Sequence, residues 1–310
     1  MNRHVAFALV AVALRSQHAD GQQISKEELV FLTLGGVGEI GMNLGLYGYG
    51  PRRDRTWLVV DLGVAFAGPE LPGVDLIYPD ISYLEEERAN VAAIVITHAH
   101  EDHFGALIDL WPRLRVPVFA TAFTANLLNA KCVEEGVPPI PVTVVKAGDR
   151  FTAGPFDVEY INVSHSIPEA NALAIRTPLG LVVHSGDWKI DETPVVCPPT
   201  DVARLCQLGE EGVLALICDS TNAIREGHSL SEAEIGSELA KIAKEAKGRV
   251  AFTTFASNVG RLRSIALAAA AANRDIIIVG RALRRVADVA GELGYLDGLP
   301  PFRDEEAFAY

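Results

Sequence analysis

Thr97-His98-Ala99-His100-Glu101-Asp102-His103-Phe104-Gly105 gathers three imidazoles and the Asp102 carboxylate into six residues. The run before it, Val91-Ala92-Ala93-Ile94-Val95-Ile96, is apolar and rich in β-branched side chains, which reads as a buried strand. The cluster therefore stands where a strand ends, and a loop held by a rigid strand can aim several donors at one point. Imidazole nitrogens and carboxylate oxygens are ligands that Zn²⁺ accepts. So short a segment does not readily close four donors around one cation. Alternating donors would instead feed two neighbouring ions, His98 and His100 on one, Asp102 and His103 on the other. The competing reading is a polar surface loop that is simply rich in histidine. Four donors at these spacings after a buried strand argue against it.

Three further donors follow β-rich runs in the same way. Asp61 ends the strand-like Trp57-Leu58-Val59-Val60. His165 lies in Asn162-Val163-Ser164-His165-Ser166-Ile167-Pro168, and Asp187 in Leu181-Val182-Val183-His184-Ser185-Gly186-Asp187. Singly, each would pass as a turn or cap residue.

Taken in order, the set resembles the metallo-β-lactamase superfamily, whose first signature is H-x-H-x-D-H. That resemblance implies an α/β fold: an αββα sandwich of two mixed sheets with helices outside and a dinuclear metal site at one sheet edge. Gly35-Gly36-Val37-Gly38-Glu39-Ile40-Gly41, His165-Ser166-Ile167-Pro168, Asp187-Trp188-Lys189-Ile190-Asp191, Asp219-Ser220-Thr221-Asn222-Ala223 and Thr254-Phe255-Ala256-Ser257-Asn258 narrow it. They look like the ribonuclease J family, nucleases of the β-CASP subgroup, from about Glu28 to the last residue.

The resemblance implies RNA cleavage, endonucleolytic and 5′-to-3′ exonucleolytic, in a channel between two domains of a homodimer. It implies two Zn²⁺ ions, with Mn²⁺ also acceptable to the carboxylates. His98, His100 and His165 would hold one ion. Asp102, His103 and Asp187 would hold the other, with Asp187 reaching both. A pair of ions about 3.5–4 Å apart lowers the pKa of water from near 16 to about 7, which would supply hydroxide at neutral pH. Asp102, beside His103, is expected to orient that water or take its proton, and Asp61 to fix a ligand imidazole from behind. Ser220, Thr221 and Asn222 are candidate phosphate contacts. So are Ser257 and Asn258, for which helix capping is an equal alternative. His184, close to Asp187, reads as a buried or supporting histidine.

Members of that family continue beyond this length and supply two more motif histidines, one of them a metal ligand. This sequence has no histidine after His228. The second ion would then keep Asp102, His103 and Asp187 here, with water or another chain's histidine completing it. Two other functions stay open: a small-molecule hydrolase such as a β-lactamase, and an inactive fragment that binds RNA.

At 310 residues with 49% hydrophobic content, the chain can bury a large core in two domains. A net charge of −13 argues against nucleic acid as a whole-surface ligand. Arg261, Arg263, Arg274, Arg281, Arg284 and Arg285 would either form a local basic wall or a solvated helical face. The four cysteines show no C-x-x-C spacing and suit a reducing cytoplasm. Cys218 is expected to be a buried thiol. Residues 1–27 read as a leader and linker. Val5 to Leu14 has the length of a signal peptide's apolar run without a good cleavage site, and a cytoplasmic location with no membrane span is preferred.

Residues 28–230 alternate short strands and helices as the sandwich requires. Gly36-x-Gly38-x-x-Gly41 matches a dinucleotide fingerprint, but Asn43 to Tyr49 reads as a hairpin with Trp57–Asp61 instead of the helix that fingerprint needs. From Ser231-Glu232-Ala233-Glu234, a capping box, the pattern changes. A helix to about Ala246, a strand Arg249–Phe255, a helix Val259–Ala272, a strand Asp275–Gly280 and a helix from Leu283 imply a second, Rossmann-like domain over 231–310, a partial β-CASP domain. A two-stranded parallel sheet would need support from elsewhere.

Overall fold

The computed structural model describes residues 12–15, 27–227 and 229–309. Most of the expected leader, and His228, lie outside the described residues. Val12–Arg15 (β1) pairs antiparallel with Glu27–Gly35 (β2). Leu44–Pro51 (β3) and Thr56–Val60 (β4) form the expected hairpin. Two short strands, Ala65–Phe66 (β5) and Leu76–Ile77 (β6), and helix Ser82–Glu86 (α1) lead to Val91–Val95 (β7). The ligand segment follows as a single helical turn, Glu101–Phe104 (α2), then Leu107–Leu114 (α3). Val118–Ala120 (β8), Ala122–Glu135 (α4) and Val142–Val144 (β9) complete the first sheet. Its seven strands run β1-β2-β3-β4-β7-β8-β9, antiparallel as far as β4 and parallel beyond it.

The second sheet takes Arg150–Ala153 (β10), Phe156–Asn162 (β11), Asn171–Thr177 (β12), Gly180–His184 (β13) and, after helix Val202–Glu211 (α5), Val213–Ile217 (β14). Leu58, Val60, Ala93 and Val95 of the first sheet meet Phe156, Val158, Tyr160, Leu173 and Ile175 of the second in one dry layer. The opposite face of the first sheet buries Leu46, Val59 and Ile94 against α3 and α4. The outer face of the second buries Ile161, Ala172 and Val183 against Leu208 of α5. Alternate residues of each strand thus serve opposite layers, as the pleat dictates, and the result is an αββα sandwich.

Glu232–Glu245 (α6) opens on the expected capping box of Ser231 and Glu234, and is followed by Val259–Ala271 (α7) and Arg281–Glu292 (α8). The two strands expected between these helices do not form. Residues 249–255 carry no ladder, and residues 275–280 make a single parallel bridge, Ile277 to Arg303. Two parallel strands without flanking neighbours gain too little to order as a sheet. The helices instead lean on the sandwich, as a segment short of its own core must. Val259, Val286, Val289 and Ala290 share a core with Phe123, Leu127 and Ile167.

One further expectation fails. Cys218 is exposed, because it follows β14, an edge strand whose Leu214 and Leu216 face out. Of the two readings left open for the arginines, the local basic wall is the one the structure disfavours, because all six are engaged with acceptors of this chain, at the surface or within the fold. Arg261 pairs with Glu232, Arg281 and Arg285 with Glu134, and Arg284 with Asp304. Arg263 donates to the Tyr295 carbonyl, and Arg274 to the carbonyls of Ala243, Ala246 and Gly248.

Candidate metal centre

Strand ends and the turns after them deliver every donor. The segment after β7 passes from extended backbone at His100 into the turn of α2. Asp102 and His103 therefore sit on a helical turn and not on the extended loop their alternation suggested. This turn is laid directly against the segment after β4: Leu62 N–H donates to the His103 carbonyl at 2.7 Å and Val64 N–H to the Glu101 carbonyl at 3.0 Å. Gly63 lies between them, and a Cβ there would stand 1.7 Å from the Asp102 carbonyl oxygen. Only glycine permits that approach.

Two sets of donors result. In the first, His98, His100, His165 and Asp187 each offer an atom within 4.8 Å of the others. In the second, Asp102, His103 and Asp187 do the same. Asp187 belongs to both, with Oδ1 3.3 Å from His103 Nε2 and Oδ2 3.7 Å from His165 Nε2. His100 Nδ1 lies 3.0 Å from both His98 Nε2 and His165 Nε2. Three ring nitrogens converging at such distances cannot all be satisfied by one shared proton.

Hydrogen bonds behind the sets select which ring nitrogen of His98 and His103 faces them. Asp61, almost fully buried and in the left-handed region at φ 64°, accepts from Thr97 N–H at 2.8 Å and from His103 Nδ1 at 2.7 Å. Thr97 Oγ1 also donates to Asp61, at 2.9 Å, and so accepts from His98 Nδ1 at 3.0 Å. With both Nδ1 atoms engaged in this way, it is Nε2 of His98 and of His103 that faces the clusters. Burial, reinforced by the neighbouring imidazoles, holds His98 and His100 well below the ordinary histidine value. Burial likewise takes His165 down to about 4. Burial also opposes a charge on His103, but the Asp61 and Asp187 carboxylates outweigh it and raise this imidazole well above its usual value. Burial disfavours the charge on Asp187 too, yet the hydrogen bond and charge of His103 bring it down to about 2. Asp102 is raised, by burial first and by the like charge of Asp187. Three uncharged imidazoles, a fourth whose Nε2 proton a metal ion would displace, and two carboxylates are the donor chemistry of a divalent transition metal, so the residues present fit the group.

A cleft of about 480 Å³ opens on the second set. Asp102, His103 and Asp187 line it, with the glycine loop 35–41 on one rim and Ser220 and Thr221 on another. Asn222 is beside this lining but not part of it. His184 also lines the cleft and accepts or donates through Nδ1 to the Tyr47 hydroxyl at 2.9 Å. Asn258 caps α7, its Oδ1 accepting from Arg261 N–H at 2.8 Å, and borders a smaller cavity beside His165. Ser257 precedes it and lines neither cavity.

The sequence reading missed Asn43. Its Nδ2 stands 3.2 Å from Asp102 Oδ2 and 3.0 Å from His103 Nε2. Added Cβ atoms at Gly35 or Gly36 would strike Met42 or Asn43, so the glycine loop is what lets Asn43 reach in. Asn43 stands first in the segment read as a hairpin, and nothing else in the sequence marks it.

Comparison with known proteins agrees with this picture. Residues 56–204 match the family model "Beta-lactamase superfamily domain", and residues 247–307 match "Ribonuclease J, beta-CASP domain". The chain is 58% identical to ribonuclease J of Sinorhizobium meliloti over 96% of its own length and 53% of the relative's. It is 40% identical to ribonuclease J of Corynebacterium glutamicum, over 95% of this chain and 40% of that one. For ribonuclease J of Thermus thermophilus the identity is 39%, over 87% and 48%. The chain thus spans about half the length, or less, of these curated relatives. A crystal structure of a protein of unknown function from Enterococcus faecalis shares the fold, with a TM-score of 0.61 at 18% identity, covering 91% of this chain and 74% of that one. With an αββα sandwich, a His/Asp cluster at its strand ends and a matching β-CASP segment behind it, the chain has the metallo-β-lactamase fold with a β-CASP segment and is similar to the ribonuclease J proteins named above.

Proposed function

We propose that the protein hydrolyses RNA phosphodiester bonds, both internally and from the 5′ end, with two Zn²⁺ ions held by the two donor sets. Mn²⁺ is the alternative ion. The observation that carries this reading is the sharing of Asp187, whose two oxygens face different imidazoles, His103 and His165. A carboxylate so placed suits two adjacent cations better than one. The substrate class comes from the relatives named ribonuclease J and from the β-CASP match.

Bound there, a divalent pair supplies Lewis acidity and brings the pKa of water from 15.7 to about 7. The remaining work belongs to side chains. His98, His100 and His165 are uncharged near neutrality and take up an ion without first losing a proton. Asp61 keeps the Nδ1 proton on His103 and so leaves Nε2 for coordination. Asp102, restrained by Asn43 and raised in pKa, orients the attacking water and accepts its proton. Ser220 and Thr221 on the rim donate to phosphate oxygens, with Asn222 next to them. Asn258 contributes from the smaller cavity beside His165, and Ser257, which precedes it, lines neither cavity. Because Oδ1 of Asn258 is committed to the helix, Nδ2 is its donor to substrate.

The same reading takes the chain as a metallo-β-lactamase domain over 28–230 and a β-CASP segment over 231–310, in a cytoplasmic homodimer. No helix among the described residues is long and apolar enough to cross a membrane. The test is to incubate the protein with 5′-monophosphorylated RNA and with a chromogenic cephalosporin, with and without chelator. Chelator-sensitive cleavage of RNA alone is expected. Cleavage of the cephalosporin alone would replace the substrate class, and metal binding with neither cleaved would favour a non-catalytic RNA-binding role.

A further inference from the structure

Two of the proposed ligands each have an unassigned acidic companion. Glu169 stands four residues after His165, and Asp191 four residues after Asp187. Neither faces the metal cluster, and both are fully engaged. Glu169 Oε2 accepts from Phe123 N–H, at the start of α4, at 2.7 Å. Its Oε1 accepts from the Tyr295 hydroxyl at 2.7 Å, just beyond α8. The residue is held in the left-handed region at φ 57°, and its own N–H donates to Cys197 Sγ at 3.4 Å. The Tyr295 ring meets the Phe123 ring edge to face. Asp191 is buried; its Oδ1 accepts from Thr193 N–H at 3.0 Å, and its Oδ2 from Lys189 Nζ at 2.7 Å and from Glu232 N–H, in the first turn of α6, at 3.2 Å. The Glu232 side chain in turn pairs with Arg261 of α7.

We propose that Glu169 and Asp191 are positioning residues that couple the metal ligands His165 and Asp187 to the placement of α6–α8. Each carboxylate is a short link between a ligand-bearing turn and the amide at a helix start, where negative charge is favoured. Each reaches the second domain: Glu169 through the Tyr295 hydroxyl, Asp191 through that α6 amide itself. Movement of the β-CASP segment on binding a long substrate is thereby transmitted to two donors of the cluster, one of which is shared by both sets. α4 provides a parallel path. Its Lys131 pairs with Glu101 of the ligand turn at 2.7 Å, and its Glu134 with Arg281 and Arg285 of α8.

This inference rests on the metal assignment proposed above, and the test separates the two. The full chain is loaded with Co²⁺, and its visible absorption and its affinity against a competing chelator are measured for wild type, Tyr295→Phe, Glu169→Ala, Glu169→Gln and Asp191→Asn. Leu299→Ala, which trims a side chain packed on the Ala266, Ala269 and Ile276 cluster, controls for general loosening. Tyr295→Phe removes one hydroxyl and keeps the ring packing, so it tests the link even where a carboxylate variant fails to fold. Its Co²⁺ spectrum is expected to shift and its affinity to fall about 3- to 10-fold, below the 10- to 100-fold typical of a residue that touches a ligand directly. Glu169→Ala should lose more and Glu169→Gln recover part of it, while Leu299→Ala leaves both readouts unchanged. An unaltered spectrum and affinity in Tyr295→Phe and Asp191→Asn would overturn the coupling. Failure of the wild-type chain to bind Co²⁺ at all would overturn the metal assignment instead.

Discussion

Asp61 Oδ2 lies 2.7 Å from His103 Nδ1 and 2.9 Å from Thr97 Oγ1, so one buried carboxylate sets the proton positions of two imidazoles, His103 directly and His98 through the threonine hydroxyl. Asp61→Asn keeps the shape and removes this control, because an amide cannot accept from all of these donors. Metal affinity at both sets should fall by about 10- to 100-fold, the usual effect of losing such a partner. Chelator competition measures it. Affinity equal to wild type would show that Asp61 is only a strand-end residue.

Gly63 sets the distance between the segment after β4 and the ligand turn. The Cβ of Gly63→Ala would meet Asp102 O at 1.7 Å and His103 N at 2.7 Å, both backbone atoms that cannot swing aside. The substitution should cost about 3 kcal/mol, at the upper end for overpacking, and should empty the Asp102/His103/Asp187 set before the other. Urea denaturation and metal analysis together check this; a stable variant with full metal content would contradict the packing.

Replacing His98 and His100 together by alanine removes two of the donors in one set and none in the other. About one ion per chain should be lost, because binding depends on the number of deprotonated ligands that converge. Elemental analysis after dialysis reads this directly. Unchanged metal content would mean that the donors have been assigned to the wrong ions.

Much of this was legible in the sequence, for a physical reason. Buried strands need apolar, β-branched runs, so Trp57–Val60, Val91–Val95 and Gly180–His184 announce themselves, and the donors follow their ends. Side chains defined by what they touch were not legible. Asn43 has no pattern of its own, and Thr97 acquires a role only because Asp61 folds back onto it. The runs 249–255 and 275–280 have strand composition, but a strand is a property of its neighbours, and here the ladders are missing. Cys218 misled for the same reason, since an apolar strand at a sheet edge still exposes its far face.

The metal-free protein should weaken in acid. Burial lowers His184 to about 4 from 6.5. The folded state thus favours the neutral ring, and this contribution is intact above pH 6.5 and is lost as pH falls toward 4. At 1.36 kcal/mol per unit the loss is on the order of 3 kcal/mol. His98, His100 and His165 act in the same direction. His103, raised by its carboxylates despite its burial, acts oppositely and stabilises the low-pH side. Denaturant midpoints of chelated protein between pH 7 and 4 measure the slope, and His184→Gln should flatten part of it. An identical slope in that variant would remove His184 from the account.

The arginines of the second domain differ sharply in what they hold, which bears on whether they serve RNA or the fold. Arg274 donates to three backbone carbonyls at the end of α6, those of Ala243, Ala246 and Gly248, and so satisfies acceptors that the helix cannot. Arg281 is 91% exposed and makes one surface pair with Glu134. Arg274→Ala should cost about 2 kcal/mol, the range for groups left without their hydrogen bonds. Arg281→Ala should cost under about 0.5 kcal/mol, as exposed ion pairs do. If the fold is what they serve, neither change alters the salt dependence of RNA binding by the roughly one unit of slope expected per phosphate contact. A full unit lost in Arg274→Ala would mean that its guanidinium leaves the helix end to meet the RNA backbone.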